Sequence, residues 1–405
     1  MNVQTITDRV FEFIQNCRLN PDNWSFSSYP GGLETLYASC YSLMLYQYLG
    51  RLEELPAEEK RKWSDYIKSW QDPESGYFIG PELGADEVEV RKHSREHILH
   101  HLIVHVLPSL QLLGEKPRYP LKFAYRYLDL EYLSSWLNQR DWRDAWLEGN
   151  NLLFVGQLLL YLRDIEELAS AQEALALFYK FLDTNVDPLT GLWGTNGYCS
   201  NANGLYGGYH QLLIYYYENH PIKHPERLVD VALSLQHDDG GFNPDGGGGA
   251  CEDVDAIDIL VNLYKRFDYR RPEIRLALRK ALKQVLSMQM PDGGFVYRAN
   301  KPFVHMGIRR TASMPNQSNL FPTWFRIHTL ALTSEILTDD PISQWNWGFN
   351  RSCSMGWHEN WDKAINPLSF SDRAEEWALA SYQVIARRTS RLREKTRHYR
   401  HRIFG

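Results

Sequence analysis

Four carboxylates lie close together in one short segment, and their spacing suits acid–base chemistry. Glu252, Asp253, Asp255 and Asp258 follow four consecutive glycines, Gly246–Gly249. Burial and a neighbouring negative charge both raise the pKa of a carboxyl group, so that it keeps its proton near neutral pH. The segment therefore predicts a general acid, with Asp255 as the proton donor. Asp258 stands three residues further on, on the same face of a helix.

A simpler interpretation assigns these acids to the start of a helix. Helix N-termini carry partial positive charge, which stabilises nearby carboxylates. Asp253 and Asp255 would then be first-turn acids with no chemistry of their own. A run of glycines followed by three spaced acids exceeds what capping requires, so we favour a site.

Four histidines offer a second chemistry. His97, His100, His101 and His105 recur at spacings of three and four residues. Histidines at such spacings on one helix can hold a metal ion. A mixture of core and surface histidines would show the same spacing, so the pattern alone predicts no metal.

The elements that position these residues repeat along the chain. An aromatic residue in a turn rich in Gln, Asp and Gly precedes a long apolar helix at intervals of about fifty residues. The six turn aromatics are Trp24, Tyr77, Trp142, Trp193, Phe242 and Phe295. Each repeat predicts a polar outer helix, a turn and an apolar inner helix, and no segment alternates with the period of a strand. The pattern predicts an all-α fold, an (α/α)6 toroid of six repeats that forms a single domain over residues 1–385.

The inner helices have approximate limits in the sequence, because apolar residues occupy nearly all their faces. The predicted inner helices are 32–49, 95–113, 148–162, 207–218, 253–267 and 323–337. The loop 298–322 is long for a compact domain, and loops of that length are often functional. We expect it to act as a lid.

Polar residues gather where these inner helices begin, at one rim of the predicted ring. Buried polar groups must be paired with each other or with a polar ligand. We therefore expect substrate contacts from His97, Glu148, Asn150, Tyr206, His210 and Arg326.

Composition limits the classes of partner. The net charge of −6 gives no general attraction to nucleic acid or to an anionic membrane. The sequence has no apolar run long enough to span a membrane, no secretory signal and no CxxC pair among five cysteines. We expect a cytoplasmic protein that binds a small molecule. The basic tail, 386–405, reads as a solvated helix, or alternatively as a peripheral contact with anionic lipid.

The last two turns, Gln236–Phe242 and Gln289–Phe295, resemble the QW motifs of terpenoid cyclases and protein prenyltransferase β subunits. The acidic segment is similar to the Asp-Val-Asp-Asp-Thr-Ala motif of class II cyclases such as squalene–hopene cyclase. That resemblance implies the same toroid, with Asp255 as the acid that protonates an alkene or epoxide and Asp253 as the first Asp of the motif. Ala256 stands where that family has its third Asp.

The segment Phe325–His328 resembles the helix of prenyltransferase β subunits that carries a zinc-binding histidine. This resemblance implies a zinc set of Asp253, Asp255 and His328, in which Asp255 replaces a thiolate and so loses the soft ligand. That family also requires a helical α subunit, which the chain does not contain.

A third similarity points to carbohydrates. Asp187–Trp193 resembles a turn of (α/α)6 sugar-acting enzymes such as unsaturated glucuronyl hydrolases. A glycosidase needs two carboxylates across its cavity, and Asp255 with Glu148 is the candidate pair.

Together these features favour an isoprenoid-processing enzyme with the chemistry of a class II cyclase and no cofactor. Asp255 would donate the proton, with Asp253 and His328 orienting it and Asp258 compensating for the missing third Asp. Aromatic rings, among them that of Trp324, would stabilise the carbocation. The polar rim favours a polar-headed substrate such as a meroterpenoid. A carbohydrate-active enzyme and a non-catalytic toroid that binds a ligand or a protein remain the alternatives.

Overall fold

The computed structural model describes residues 2–84, 93–358 and 373–382. Apart from a two-residue hairpin (β1, Phe26–Ser27; β2, Glu34–Thr35), its regular elements are helices. A helical segment also spans 373–382. The first twelve helices are α1 (Val3–Cys17), α2 (Leu36–Tyr48), α3 (Ala57–Lys68), α4 (Arg95–Leu112), α5 (Leu130–Asn138), α6 (Ala145–Asp164), α7 (Ser170–Asn185), α8 (Asn201–Tyr217), α9 (Pro225–Ser234), α10 (Ala250–Arg266), α11 (Arg271–Ser287) and α12 (Leu320–Ile336).

The even-numbered helices form a closed inner ring. Each packs against the next in chain order, and α12 returns to pack against α2. These helices are buried on nearly every face because their sequences are apolar all round. The predicted (α/α)6 toroid is therefore confirmed, and the inner helices begin and end within about six residues of the predicted limits.

The odd-numbered helices surround this ring and bury one face each. In α3 the buried face carries Trp63, Tyr66 and Ile67, while acidic and basic side chains occupy most of the remainder. One-sided burial of this kind follows from an apolar stripe at helical spacing.

A glutamine at the start of some of the repeat turns ties neighbouring repeats together. Gln236 Nε2 donates to Gly240 O in its own turn at 3.0 Å, and to Ala277 O of α11 at 2.8 Å. Gln289 plays the same part in the last repeat, where its Nε2 lies 3.5 Å from Ile6 O of α1. The sixth repeat is thereby joined to the first.

The turn aromatics pack into the core in most repeats. Phe242 and Phe295 are fully buried. In the second turn the residue that pairs with Gln71, as Phe295 pairs with Gln289, is Phe78 rather than the predicted Tyr77. The sequence assignment was therefore one residue too early in that repeat.

Helices α6 and α8 approach each other through glycines. A Cβ atom on Gly207 would lie 2.1 Å from Ala145 O, and one on Gly149 would lie 2.4 Å from Gly207 O. Such close backbone contact is available only to glycine.

The segment 345–358, called here the plug, closes the ring at the C-terminal ends of the inner helices. Gly348 N donates to Tyr48 O at the end of α2. His358 Nε2 lies 2.8 Å from Lys265 Nζ on α10 and 2.7 Å from Glu335 Oε2 on α12. The plug therefore covers one end of the ring, and the inner helices begin at the other end.

The long loop lies at the end where the inner helices begin. It contains a bridge between Phe303 and Ser313 and a short 3-10 turn, Arg309–Thr311. The basic tail 386–405 lies outside the described residues. No helix in the described part of the chain is long and apolar enough to cross a membrane.

Candidate active site

A cavity of about 440 Å³ lies inside the ring between the plug and the long loop. Its wall is mostly apolar and aromatic, with one buried carboxylate and several histidines. No lysine or arginine is found among the described residues that line it. The lining consists of His93, His97, His101, Asp144, Trp146, Leu147, Asn150, His210, Cys251, Asp255, Tyr297, Phe303, Val304, His305, Met306, Gly307, Phe321, Phe325 and Met355.

Asp255 faces this cavity from α10. The side chain is buried, and its Oδ2 atom has no hydrogen-bond partner among the described residues. Burial raises the pKa of Asp255 well above its ordinary value, and the negative charges of Glu252, Asp258 and Asp253 raise it further. Such a setting favours the protonated, uncharged form of the carboxyl group.

His210 lines the cavity from the neighbouring helix α8. Its Nδ1 atom lies 2.7 Å from Tyr206 O. Because a carbonyl oxygen can only accept, Nδ1 carries the hydrogen and Nε2 of the neutral ring keeps a lone pair. Burial lowers the pKa of His210 to about 4, so the ring is uncharged at neutral pH.

Asp253 lies outside the cavity wall and serves the fold. Its Oδ2 pairs with the guanidinium of Arg326, and its Oδ1 accepts from Phe242 N at 2.9 Å. Arg326 also donates to Tyr297 O at 2.9 Å and is fully buried. Burial raises the pKa of Asp253, while the Arg326 charge opposes that shift. The structure therefore places Asp253 and Arg326, predicted to orient the acid and to bind substrate, in a buried ion pair outside the cavity wall.

Asp258 and His328 lie deeper in the ring than Asp255. His328 Nδ1 lies 2.6 Å from Tyr48 OH, which donates to Gly356 O of the plug at 3.0 Å. His328 Nε2 lies 3.9 Å from Asp258 Oδ2. Burial raises the pKa of Asp258 to about 8 and lowers that of His328 to about 3. Neither residue forms a hydrogen bond with Asp255 within the described structure, so His328 does not orient the acid directly.

Three further predicted contacts are used by the protein itself. Glu148 pairs with Arg140 at 2.7 Å. Tyr206 OH donates to Phe242 O at 2.8 Å. Trp324 stacks on Tyr41 with ring centroids 5.2 Å apart. None of the three lines the cavity. The predicted catalytic pair of Asp255 and Glu148 therefore does not face across it, whereas Asp255, His97, Asn150 and His210 do line it.

Neither the zinc set implied by the resemblance nor the histidine row forms a group of metal ligands in the described part of the chain. Within the described ranges, no group of three or more His, Cys, Asp or Glu side chains could hold a metal ion. In the zinc set implied for Asp253, Asp255 and His328, Arg326 already occupies the first carboxylate. In the histidine row, His100 turns away from the cavity and bonds Tyr77 OH at 3.1 Å.

The long loop supplies residues that the sequence did not single out. Phe303, Val304, His305 and Met306 form part of the cavity wall. His305 Nε2 lies 3.0 Å from Tyr41 OH, and its ring packs 3.9 Å from that of Phe321. The unusual length of the loop was the only sequence signal for this contribution.

No protein-family model matches the chain, and no curated protein matches it. Among solved structures, the chain is similar to a polysaccharide lyase, with 14% identity over 82% of this chain and 97% of that chain, at a TM-score of 0.47. It is also similar to the type II terpene cyclase MstE from Scytonema in complex with its substrate geranylgeranyl dihydroxybenzoate. The identity there is 12% over 83% of this chain and 98% of that chain, at a TM-score of 0.49. Neither similarity bears on the reaction, which has to be inferred from the residues of the cavity.

Proposed function

We propose that this protein is an enzyme that protonates an uncharged, largely apolar substrate at a carbon–carbon double bond or epoxide, in the manner of class II terpene cyclases. The observation that carries the proposal is Asp255, a buried carboxyl group on the wall of an aromatic cavity. Its Oδ2 has no hydrogen-bond partner among the described residues, and no cation among them lines the cavity beside it.

The surroundings of Asp255 suit both halves of such a reaction. Before protonation, burial and nearby carboxylates keep its proton in place. After protonation, the substrate carries a positive charge, which the faces of Tyr297, Phe321 and Phe325 can stabilise. Ala256 is buried and apolar, so the third Asp of the related motif has no counterpart at this position. The acids that raise the pKa of Asp255 are Glu252, Asp258 and Asp253.

A neutral imidazole of the cavity can end the reaction. A lone pair on Nε2, such as the one that the hydrogen bond of Nδ1 leaves on His210, can accept the proton that leaves the final carbocation as a double bond forms. One proton then enters from Asp255 and one leaves to the imidazole, so the product is an isomer of the substrate. The enzyme is restored when the imidazole loses its proton and Asp255 gains one.

A carbohydrate-active enzyme is the second candidate, because an acid and a neutral imidazole base in one cavity also suit reactions at a sugar ring. Two observations weigh against it. Glu148, the expected second carboxylate, is held by Arg140. An acidic glycan would also meet no cation among the described lining residues.

The test is turnover of a panel of uncharged prenyl compounds, epoxyprenyl compounds and prenylated phenols, with products identified by mass spectrometry. We expect an isomeric product with fewer double bonds from the wild-type protein. Asp255→Asn should lower its rate by roughly 10²- to 10⁴-fold. Asp245→Asn removes an exposed acid from the preceding loop and serves as the matched control.

Unchanged turnover in Asp255→Asn would remove the acid from the mechanism. If the prenyl panel gives no product while neutral oligosaccharides are cleaved, the second candidate replaces the first.

A further inference from the structure

The cavity has two chemically different walls. Helices α4, α6 and α8 are consecutive in the inner ring and contribute most of its polar side chains. Helix α12 and the long loop contribute most of its aromatic rings together with His305, and Asp255 of α10 lies at the boundary. The polar wall, as defined here, consists of His97, His101, Asn150 and His210; the aromatic wall consists of Phe303, Phe321 and Phe325.

Hydrogen bonds outside the cavity fix which nitrogen of two of the imidazoles can bind a ligand. His97 Nδ1 lies 2.7 Å from Asn151 Oδ1. The orientation of that amide is set because Asn151 Nδ2 donates to Glu148 Oε2 at 3.0 Å. The oxygen facing His97 can only accept, so His97 Nδ1 is the donor and Nε2 keeps its lone pair.

The same logic applies to His210, because its Nδ1 donates to Tyr206 O. Two imidazoles of the polar wall therefore keep the lone pair on Nε2. His101 Nδ1 shares a hydrogen bond of 2.9 Å with Tyr37 OH, in which either group can donate.

These rings are uncharged at neutral pH. Burial lowers the pKa of His97, of His101 and of His210, and neighbouring histidines lower that of His101 further. The polar wall therefore accepts hydrogen bonds. It offers no positive charge of its own to an anion.

We propose that the polar wall recognises a neutral head group bearing hydroxyl or phenol donors, carried on an isoprenoid chain that lies along the aromatic wall. This inference rests on the function proposed above and specifies its substrate class. A diphosphate would direct its negative oxygens at imidazole lone pairs. A plain hydrocarbon would bury the same nitrogens without offering them a hydrogen-bond donor, which is unfavourable.

Binding to Asp255→Asn protein tests this class without turnover. The probes are a farnesylated hydroquinone, its dimethyl ether and farnesyl diphosphate, titrated by calorimetry or by quenching of tryptophan fluorescence, since Trp146 lines the cavity. The two hydroxyl donors should make the hydroquinone bind about tenfold more tightly than the ether, given the usual worth of such bonds.

Variants assign that preference to the polar wall. In the Asp255→Asn background, His210→Phe and His97→Phe should each reduce the preference for hydroquinone over ether, and His97→Gln, which keeps an acceptor, should restore part of it. His100→Phe is the matched control, because His100 bonds Tyr77 and does not line the cavity. Circular dichroism verifies that each variant is folded.

Equal binding of the ether, tighter binding of the diphosphate, or binding of none of the probes would overturn the inference. This test and the test of the proposed function can fail separately. If the Asp255→Asn protein prefers the hydroquinone but the wild-type protein forms no product from it, the inference about recognition stands and the proposed cyclase chemistry is wrong.

Discussion

Replacement of Asp253 by alanine is expected to destabilise the fold by about 4 kcal/mol. Arg326 is fully buried and pairs with Asp253, and its other acceptors are the neutral oxygens of Gln284 and Tyr297. Removing one member of a buried ion pair costs about 3–5 kcal/mol, because the remaining charge is left uncompensated.

A second loss comes from the turn before α10. Phe242 N donates to Asp253 Oδ1 at 2.9 Å, and a buried amide without an acceptor costs about 1–3 kcal/mol. The two losses share one side chain and are not additive. The total therefore stays near that of the broken ion pair.

The assay is urea unfolding at neutral pH, followed by circular dichroism, for wild type, Asp253→Ala, Arg326→Met and the double variant. The double variant should recover the part of the loss that comes from the unpaired charge, whereas the loss from the unpaired Phe242 N remains. If Asp253→Ala unfolds within about 1 kcal/mol of wild type, the ion pair is not holding the repeat together, and Asp253 returns to consideration as a catalytic residue.

Two further predictions concern other parts of the ring. Glu82 accepts from the first two amides of α2, and burial raises its pKa from 4.5 to about 7. Because the pKa is higher in the folded state, the stabilisation that Glu82 gives to the fold is fully present below pH 4.5. It is lost as the pH rises through 7, and the free energy of unfolding then falls by roughly 3 kcal/mol. Urea unfolding across this range should show a smaller pH dependence in Glu82→Gln, and an unchanged slope would contradict the assignment. Gly207→Ala should lower the free energy of unfolding by about 2–3 kcal/mol, because the new methyl group forces α8 away from Ala145 O. In the control Gly208→Ala the new methyl group is close only to the flexible end of Leu192, so the loss should be smaller. Equal melting temperatures of the two variants would refute the close approach of α6 and α8.

The architecture was predictable because the repeat imposes the same element order six times. Pro225 illustrates why the start of a helix could be predicted from the sequence. The fixed φ of proline favours the first helical position, and α9 begins at Pro225. The turn before α4 was harder to predict, because two adjacent aromatics, Tyr77 and Phe78, follow Gly76. Only packing decides that Phe78, and not Tyr77, enters the core.

The candidate site was predictable only in part. Asp253 and Asp255 are two residues apart on one helix, so their side chains point to nearly opposite faces. The sequence shows that spacing but not the rotation of α10, which aims Asp255 at the cavity and Asp253 at Arg326. Glu148 was likewise assigned to substrate because its partner, Arg140, comes from an irregular segment whose path has no sequence signature.

The closure of the ring determines the order in which the protein can be completed. The hydrogen bond between Tyr48 and His328 joins residues 280 positions apart, and α12 supplies one of the two flanks of α2. Until α12 has been synthesised, α2 and α10 each present an apolar side that no other inner helix can cover. Contacts this remote form late and slowly. The incomplete ring is therefore the state most exposed to aggregation, and the cavity with its acid exists only after the last repeat has docked.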